Sequence, residues 1–420
     1  MNSAKPFDIS KRQVWEAYQR VKSNRGAAGV DGQTIQDFDR DLSKNLYLIW
    51  NRISSGSYFP PAVKAVPIPK KSGGERLLGV PTVSDRIAQT VVTMTLEPIL
   101  EPVFHVDSYG YRRGKSAHDA LAITRKRCWE RDWVLEYDIR GLFDHIDHEL
   151  LLKALDHHCS ESWVLLYVRR WLTAPMQTKD GKQEGRNVGT PQGGPLSPVL
   201  ANLFLHYALD RWLTVHHPDI PFCRYADDGI LHCRSEREAQ YLHSQLDMRL
   251  RQCGLEMHPD KTKVVYCKDS RRQGNHENIK FDFLGYTFRP RRIVNRSGRS
   301  SLGFTPAVSR QSMTSMRQAV RRWHLNLRSE LSIDQIAKAL APRVRGWIRY
   351  YCRFRGSEFQ PVADHIDRAI IRWAMRKYKR LRGKKMRAVS WLDRIKRKHP
   401  NLFVHWSGRG AFAVEAMGAR

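Results

Sequence analysis
The 420-residue sequence predicts an α+β fold: a strand-containing body over residues 1–290, then a part built from helices. Three observations predict it. First, strand-like runs bracket two turn signals in the body. One pair, residues 63–69 and 77–80, flanks the basic loop 70–76; the other, Phe222–Tyr225 and residues 230–233, flanks Ala226-Asp227-Asp228-Gly229. Asp-Gly between such runs is a strong hairpin signal. Second, after Phe283-Leu284-Gly285-Tyr286 the apolar residues recur at helical spacing. Third, charge is segregated: residues 371–400 hold thirteen Lys/Arg and one acid, Asp393, which separates a chemistry-bearing body from a polyanion-gripping end.

Taken in order, Ser10 caps a first helix whose Val14, Trp15, Tyr18 and Val21 share one face. A basic loop follows, residues 24–32, with Gly26, Gly29 and Gly32 inviting unusual backbone angles or close approach. The prolines of residues 63–69 restrict that strand to a sheet edge. Helical pattern covers 85–100, 147–155 and 198–212, and a buried strand is read at 133–139. Later stripes are Met313, Met316, Val320, Trp323, Leu327 and Leu340, Val344, Trp347, Ile348, Tyr351. Such stripes predict packing, with Arg343, Arg345 and Arg349 pointing outward.

Composition narrows the function. With 41% hydrophobic and 27% charged residues the chain is a folded protein rather than a disordered one. Lys and Arg number 72 against 42 Asp and Glu, a net +30 that predicts a nucleic-acid partner. Seven cysteines without a C-x-x-C pair predict a reducing compartment and no zinc ribbon. No apolar run reaches the ~20 residues of a bilayer span, and the first residues lack a secretory h-region. A cytoplasmic location without a membrane partner is expected.

The chemistry centres on two carboxylates. Asp138 ends one strand and Asp227 sits in a hairpin turn; if the strands are neighbours, both converge at one sheet end. Two such groups and a backbone carbonyl suit Mg²⁺, which wants hard oxygen ligands. An isolated Asp-Asp turn is weak evidence, but its context is not. Tyr225-Ala226-Asp227-Asp228 resembles the central motif of reverse transcriptases. Residues 138–148 (Asp-Ile-Arg-Gly-Leu-Phe-Asp-His-Ile-Asp-His) resemble the family's first carboxylate motif, and residues 189–198 (Gly-Thr-Pro-Gln-Gly-Gly-Pro-Leu-Ser-Pro) the motif between them, in the family's order.

The finer resemblance is to reverse transcriptases encoded by group II introns and related bacterial elements, over nearly the whole chain. Loop 24–32 is similar to their N-terminal extension motif; residues 108–116 and 254–262 are similar to later blocks, and 281–286 to the primer-grip block. Residues 345–351 resemble the thumb region called domain X, and 402–406 a C-terminal signature of a bacterial lineage without an endonuclease domain.

The resemblance implies a right-hand polymerase fold: fingers and palm with an antiparallel sheet over 1–290, an α-helical thumb or maturase domain over 291–388, and a basic C-terminal extension over 389–420. It implies an RNA-directed DNA polymerase that assists splicing of its intron RNA and supports retrohoming. Partners would be that RNA, target DNA with a DNA primer from elsewhere, and dNTPs. A homodimer in the ribonucleoprotein, and nucleoid association on target DNA, belong to the same expectation.

Two Mg²⁺ ions would be held by Asp138, Asp227 and the Ile139 carbonyl, with Asp228 tuning the site or touching the primer end. Phe143 would wall off a ribose 2′-hydroxyl, and Gln192 would reach the nucleotide or its template base. Lys70, Lys71 and Arg76 form a cationic hairpin tip suited to triphosphate oxygens, and Lys261 would protonate pyrophosphate. RNA phosphates fall to Asn24, Arg25, Arg112, Arg113, Lys115, Arg343, Arg345, Arg349, Arg372, Arg376, Lys377, Lys379, Arg380, Lys384 and Lys385. Trp347, Tyr350, Tyr351, Trp373 and Tyr378 are candidates for base stacking, with core packing the stronger reading for most. Two rival readings are an RNA-binding maturase without a physiological polymerase role, and a stand-alone bacterial reverse transcriptase of a defence element or retron.

Overall fold
The computed structural model describes residues 5–69, 74–294, 298 and 300–407. The fold is α+β. Its helices are α1 (Lys11–Ser23), α2 (Ile35–Arg40), α3 (Leu42–Ser54), α4 (Val83–Leu100), α5 (Ala117–Glu130), α6 (Leu142–His145), α7 (His148–His158), α8 (Ser162–Leu172), α9 (Ser197–Leu205), α10 (Arg211–His216), α11 (Glu236–Gln252), α12 (Arg310–Arg322), α13 (Ile333–Tyr351), α14 (Gln360–Lys377) and α15 (Lys385–Lys398). The strands are β1 (Val63–Pro69), β2 (Glu75–Val80), β3 (Trp133–Asp138), β4 (Met176–Gln177), β5 (Gln183–Glu184), β6 (Phe222–Tyr225), β7 (Asp228–Cys233), β8 (Lys263–Tyr266), β9 (Phe281–Phe283), β10 (Tyr286–Val294) and β11 (Ser300–Val308). They form sheets of order β2-β1-β4-β5, β6-β7-β3-β8 and β11-β10-β9; β1, expected at an edge, lies between β2 and β4, but it pairs with β4 only at Val63 and Lys64, ahead of its prolines. The chain divides into two compact units. One holds Met1–Ser116, Leu135–Leu231 and Gln240–Lys263; the other holds Ala117–Val134, His232–Ala239 and Val264–Arg420. Among the described residues no helix is long and apolar enough to cross a membrane.

In the first unit, α1 starts at a full capping box. The Ser10 hydroxyl accepts from the Gln13 amide (3.1 Å) and the Gln13 side chain accepts from the Ser10 amide (3.0 Å). Val14, Ala17, Tyr18 and Val21 form its buried face; Trp15, expected there, is 46% exposed. One residue is about 100° around a helix, and Ala17 takes the inner position instead. The glycine loop earns its composition by close approach: a Cβ on Gly29 would lie 2.6 Å from the Thr82 nitrogen. Arg86 of α4 reaches back to the Ala27 carbonyl at 2.7 Å.

Helix α4 is buried over most of its circumference, Asp85 included. That carboxylate accepts from the Tyr58 hydroxyl (2.9 Å), the Trp171 indole (2.7 Å) and the Gln89 amide (2.9 Å). Burial outweighs these bonds and pushes its pKa up to about 6. The segment expected as one helix over 198–212 is interrupted: α9 widens into a π-helical turn, His206–Asp210, before α10. Arg249 donates to the loosened carbonyls of Ala208 (3.0 Å) and Tyr207 (3.1 Å).

In the second unit, β10 pairs along β11 from Tyr286↔Val308 to Val294↔Ser300, and the Phe281 and Phe288 rings stack 4.6 Å apart. Ser309 caps α12. Met316, Val320, Leu340 and Val344 are buried as expected, whereas Leu327 is 62% exposed because a 3-10 turn replaces the helix there. Trp373 is buried and donates to the Arg328 carbonyl at 2.9 Å, which makes it core. On α14, Asp367 accepts from His405 (2.8 Å), Trp406 (2.7 Å) and Lys396 (3.1 Å), stapling the C-terminal block to the helix. Burial opposes its charge, but these partners prevail and hold the carboxyl at about 2. All seven cysteines are buried.

Candidate active site
The β6–β7 hairpin turns through Ala226 and Asp227, with Tyr225 paired to Asp228. Ala226 takes φ +56, a left-handed value uncommon for a side chain with a Cβ. Its backbone is pressed from below: a Cβ on Gly110 would lie 2.3 Å from the Ala226 nitrogen. Segment 107–110 backs the hairpin, since Tyr109 N–H donates to the Arg224 carbonyl (2.8 Å) and Arg224 N–H to the Asp107 carbonyl (2.9 Å). On the other side Ile139 N–H donates to the Asp227 carbonyl at 3.2 Å, so the end of β3 adjoins the turn. Gly229 leaves room for the Tyr137 ring, which a Cβ would meet at 2.1 Å. Asp138, Asp227 and Asp228 therefore converge at one sheet end.

Beneath the turn lies Arg224, wholly buried with Asp210. Its guanidinium donates to both Asp210 oxygens (2.7 and 2.6 Å), to the Asn202 side chain (3.1 Å), to the Ser108 hydroxyl (2.8 Å) and to the Ala226 carbonyl (3.1 Å). Asn202 also donates to the Gly110 carbonyl at 2.7 Å. This network holds the unusual turn from inside the protein. Sequence reasoning missed it, because an arginine in a basic chain reads as surface.

Electrostatically the three acids crowd. Burial, then Asp227, then a hydrogen bond with Asp138 push the Asp228 carboxyl far above the carboxylate range. Burial raises Asp227 as well, with Asp138 adding to it. Lys261 donates to both Asp138 oxygens at 3.0 Å. Buried carboxyls that must share a proton are chemically matched to a divalent cation, which supplies the missing positive charge. Among the described residues no group of three or more His, Cys, Asp or Glu side chains is placed to hold a metal ion. One or two carboxylates, with waters and substrate phosphates completing the shell, are the arrangement Mg²⁺ commonly uses.

The nucleotide candidates gather in the same unit. Phe143, half-buried on α6, meets the Tyr111 ring edge-on at 6.4 Å. The Phe143 carbonyl accepts from Thr190 N–H at 2.7 Å. Gly189 must be a glycine there, since a Cβ would lie 2.7 Å from that carbonyl. Gln192 is partly exposed, and its carbonyl accepts from Gly79 N–H on β2 at 2.7 Å, which ties the β1–β2 hairpin and the exposed Arg76 to this loop. Lys70 and Lys71 lie outside the described residues. Tyr111, at φ +59, was not singled out from sequence; burial and then the neighbouring Asp227 raise its phenol. Its place in the Gly110-Tyr111-Arg112 block was the available signal.

The RNA-binding candidates separate into two kinds. Asn24, Arg25, Arg343, Arg345, Arg349, Arg372, Arg376, Lys379, Arg380, Lys384 and Lys385 are exposed. Arg113 is largely exposed beside Glu97 (2.8 Å), and Lys115 donates to the Val106 carbonyl (2.8 Å). Arg112 is a correction. Its side chain is buried, and its donors go to Glu101 and to the carbonyls of His105 and Ser108, leaving none for a phosphate. Lys377 turns two of its three donors to the carbonyls of Ser329 (2.8 Å) and Leu331 (2.7 Å).

The family model for reverse transcriptase (RNA-dependent DNA polymerase) matches residues 68–288, and that for the group II intron maturase-specific domain matches residues 313–391. Protein YkfC of Escherichia coli is 29% identical over 317 residues, 64% of this chain and 78% of that protein. The group II intron-encoded protein LtrA of Lactococcus lactis is 27% identical over 351 residues, 67% of this chain; the chain spans 56% of its length. Among solved structures, telomerase from Candida albicans superposes over 89% of this chain and 67% of that one at TM-score 0.46 and 14% identity.

Proposed function
From the premise that the chain belongs to the group II intron-encoded reverse transcriptases and maturases, we propose that it copies RNA into DNA and also binds its intron RNA to assist splicing and retrohoming. The observation that carries this is the convergence of Asp138, Asp227 and Asp228 at one sheet end, in a family whose members use divalent metals.

Asp138, Asp227 and the Ile139 carbonyl are the proposed ligands of two Mg²⁺ ions, with Asp228 beside them. Bound there, the ions would neutralise the carboxylates and the charge that develops on a transferring phosphoryl group. The chain's own side chains do the rest. Arg76, with Lys70 and Lys71, orients triphosphate oxygens. Phe143, braced by Tyr111 and by the Thr190 amide, excludes a ribose 2′-hydroxyl. Gln192 reads the nucleotide or its template partner. Lys261 leaves Asp138 to give its proton to the departing pyrophosphate. The exposed Arg and Lys residues named above grip RNA phosphates, without Arg112 and Lys377. Residues 1–290 serve as fingers and palm, 291–388 as thumb and maturase domain, and 389–420 as a basic extension. Target DNA, its primer and dNTPs complete the partners, and the ribonucleoprotein accommodates a dimer and works at the nucleoid.

The test is extension of a DNA primer on an RNA template with Mg²⁺, comparing the parent with Asp227→Asn. Extension should fall below detection while intron-RNA affinity is retained. Undiminished extension by Asp227→Asn would overturn the assignment. A splicing defect in that variant equal to its polymerase defect would overturn the separation of the two activities.

A further inference from the structure
We propose that a cleft in the second unit, between α5, the β10–β11 hairpin and the turn entering α14, binds unpaired nucleotides of RNA, with bases stacking at Arg125 and Trp129 and phosphates on Arg292 and Arg355. The cavity measures about 1090 Å³ and involves none of the residues assigned above. Trp129 is 47% exposed, yet its indole N–H is fixed on the Phe304 carbonyl at 2.8 Å. A large ring half in solvent and held in one orientation is a platform. The Arg125 guanidinium lies 4.4 Å from the centre of that ring and 6.0 Å from the Phe354 ring. Its Nε is shielded and has no hydrogen-bond partner, an unmet donor inside the cleft.

Charge points the same way. Arg125, Arg292 and Arg355 face the cavity, against Asp364 as the lining carboxylate, and Asp364 already accepts from Gln360 at 2.7 Å. Arg355 stands 3.6 Å from Glu358, a loose ion pair that leaves donors to spare, while Arg292 projects into solvent from the rim and reaches Ser300. Flat guanidinium and indole faces with cations at the edge are how proteins take single-stranded RNA. A paired base keeps its faces inside the duplex stack and cannot use them. RNA, rather than DNA, follows from the match of residues 313–391 to the maturase-specific domain, which includes Phe354, Arg355 and Asp364. The proposal thus rests on the intron-RNA reading.

The experiment measures binding of the full chain to three labelled probes: a short single-stranded RNA, the same sequence closed in an RNA hairpin, and single-stranded DNA. Trp129→Ala should weaken the single-stranded RNA about 5- to 100-fold, the range of one lost base stack. Arg292→Glu, an exposed change, should weaken it and flatten its salt dependence. Trp129→Phe, which keeps a platform, should retain most of the affinity and controls for misfolding. Hairpin binding should be unchanged in all three. Unaltered single-strand binding in both Trp129→Ala and Arg292→Glu, equal losses for the hairpin, or a loss confined to DNA would each overturn the cleft assignment. If the parent itself bound no RNA, the family-level reading would fail first and this one with it.

Discussion
Replacing Arg224 with methionine keeps the shape of a long side chain and removes its guanidinium. In the parent that group makes five hydrogen bonds of 2.6–3.1 Å inside the protein, two of them to an Asp210 carboxylate that is itself 0% exposed. The variant leaves a buried carboxylate without its partner, a change that costs about 3–5 kcal/mol. Set against a typical total of about 5–15 kcal/mol, that is a large share. The loss should appear in urea unfolding as a lower midpoint at an unchanged slope. Removing the stranded charge as well, in Arg224→Met with Asp210→Leu, should recover about 2 kcal/mol or more, because an apolar pair of similar volume carries no uncompensated ion. A single variant within about 1 kcal/mol of the parent, or a double variant as unstable as the sum of the singles, would refute the reasoning.

Three further outcomes are expected. Asp85→Asn should stabilise by about 1–2 kcal/mol above pH 7 and by nothing near pH 4. The folded pKa of about 6 lies above the unfolded value of 3.8, so the parent loses stability as pH rises between them; equal effects at pH 4 and pH 8 in thermal melts would contradict this. Asp367→Asn should show the opposite pH dependence. Its carboxyl is held at about 2 in the fold, so the stability it contributes, on the order of 2 kcal/mol, is present above 3.8 and fades as pH falls toward 2; a variant as stable as the parent at pH 7 would argue against the staple. Phe143→Ala should raise incorporation of ribonucleotides relative to deoxynucleotides by about 10- to 100-fold in primer extension, the scale a pocket wall supplies; unchanged selectivity would move the sugar wall elsewhere.

Much of the site was legible because it is built from short-range signals. The Asp-Gly hairpin and the strand ending in Asp138 predicted where the acids would meet, and the Ser10 cap stands where side-chain chemistry puts it. What stayed hidden depends on contacts far apart in sequence. Arg224 and Asp210 are 14 residues apart and only the fold buries them together. Arg112 looks like any basic residue until Glu101 and two carbonyls surround it. Trp15 sits one position from the buried face, a distinction that hydrophobicity alone does not make.

The π-helical turn at His206–Asp210 has a consequence for how the chain tolerates length changes. The wide turn spends one more residue than an α-helical turn, and Asp210, its last member, meets Arg224 because of that surplus. Excising a single residue would let the segment rewind to ordinary pitch and swing everything after it by about 100°. A carboxylate would then point into apolar neighbours, and the guanidinium would face them without a counterion. Such a deletion would be felt at the Asp227 loop through Arg224, which bonds both Asp210 and the Ala226 carbonyl, so this stretch is constrained in length.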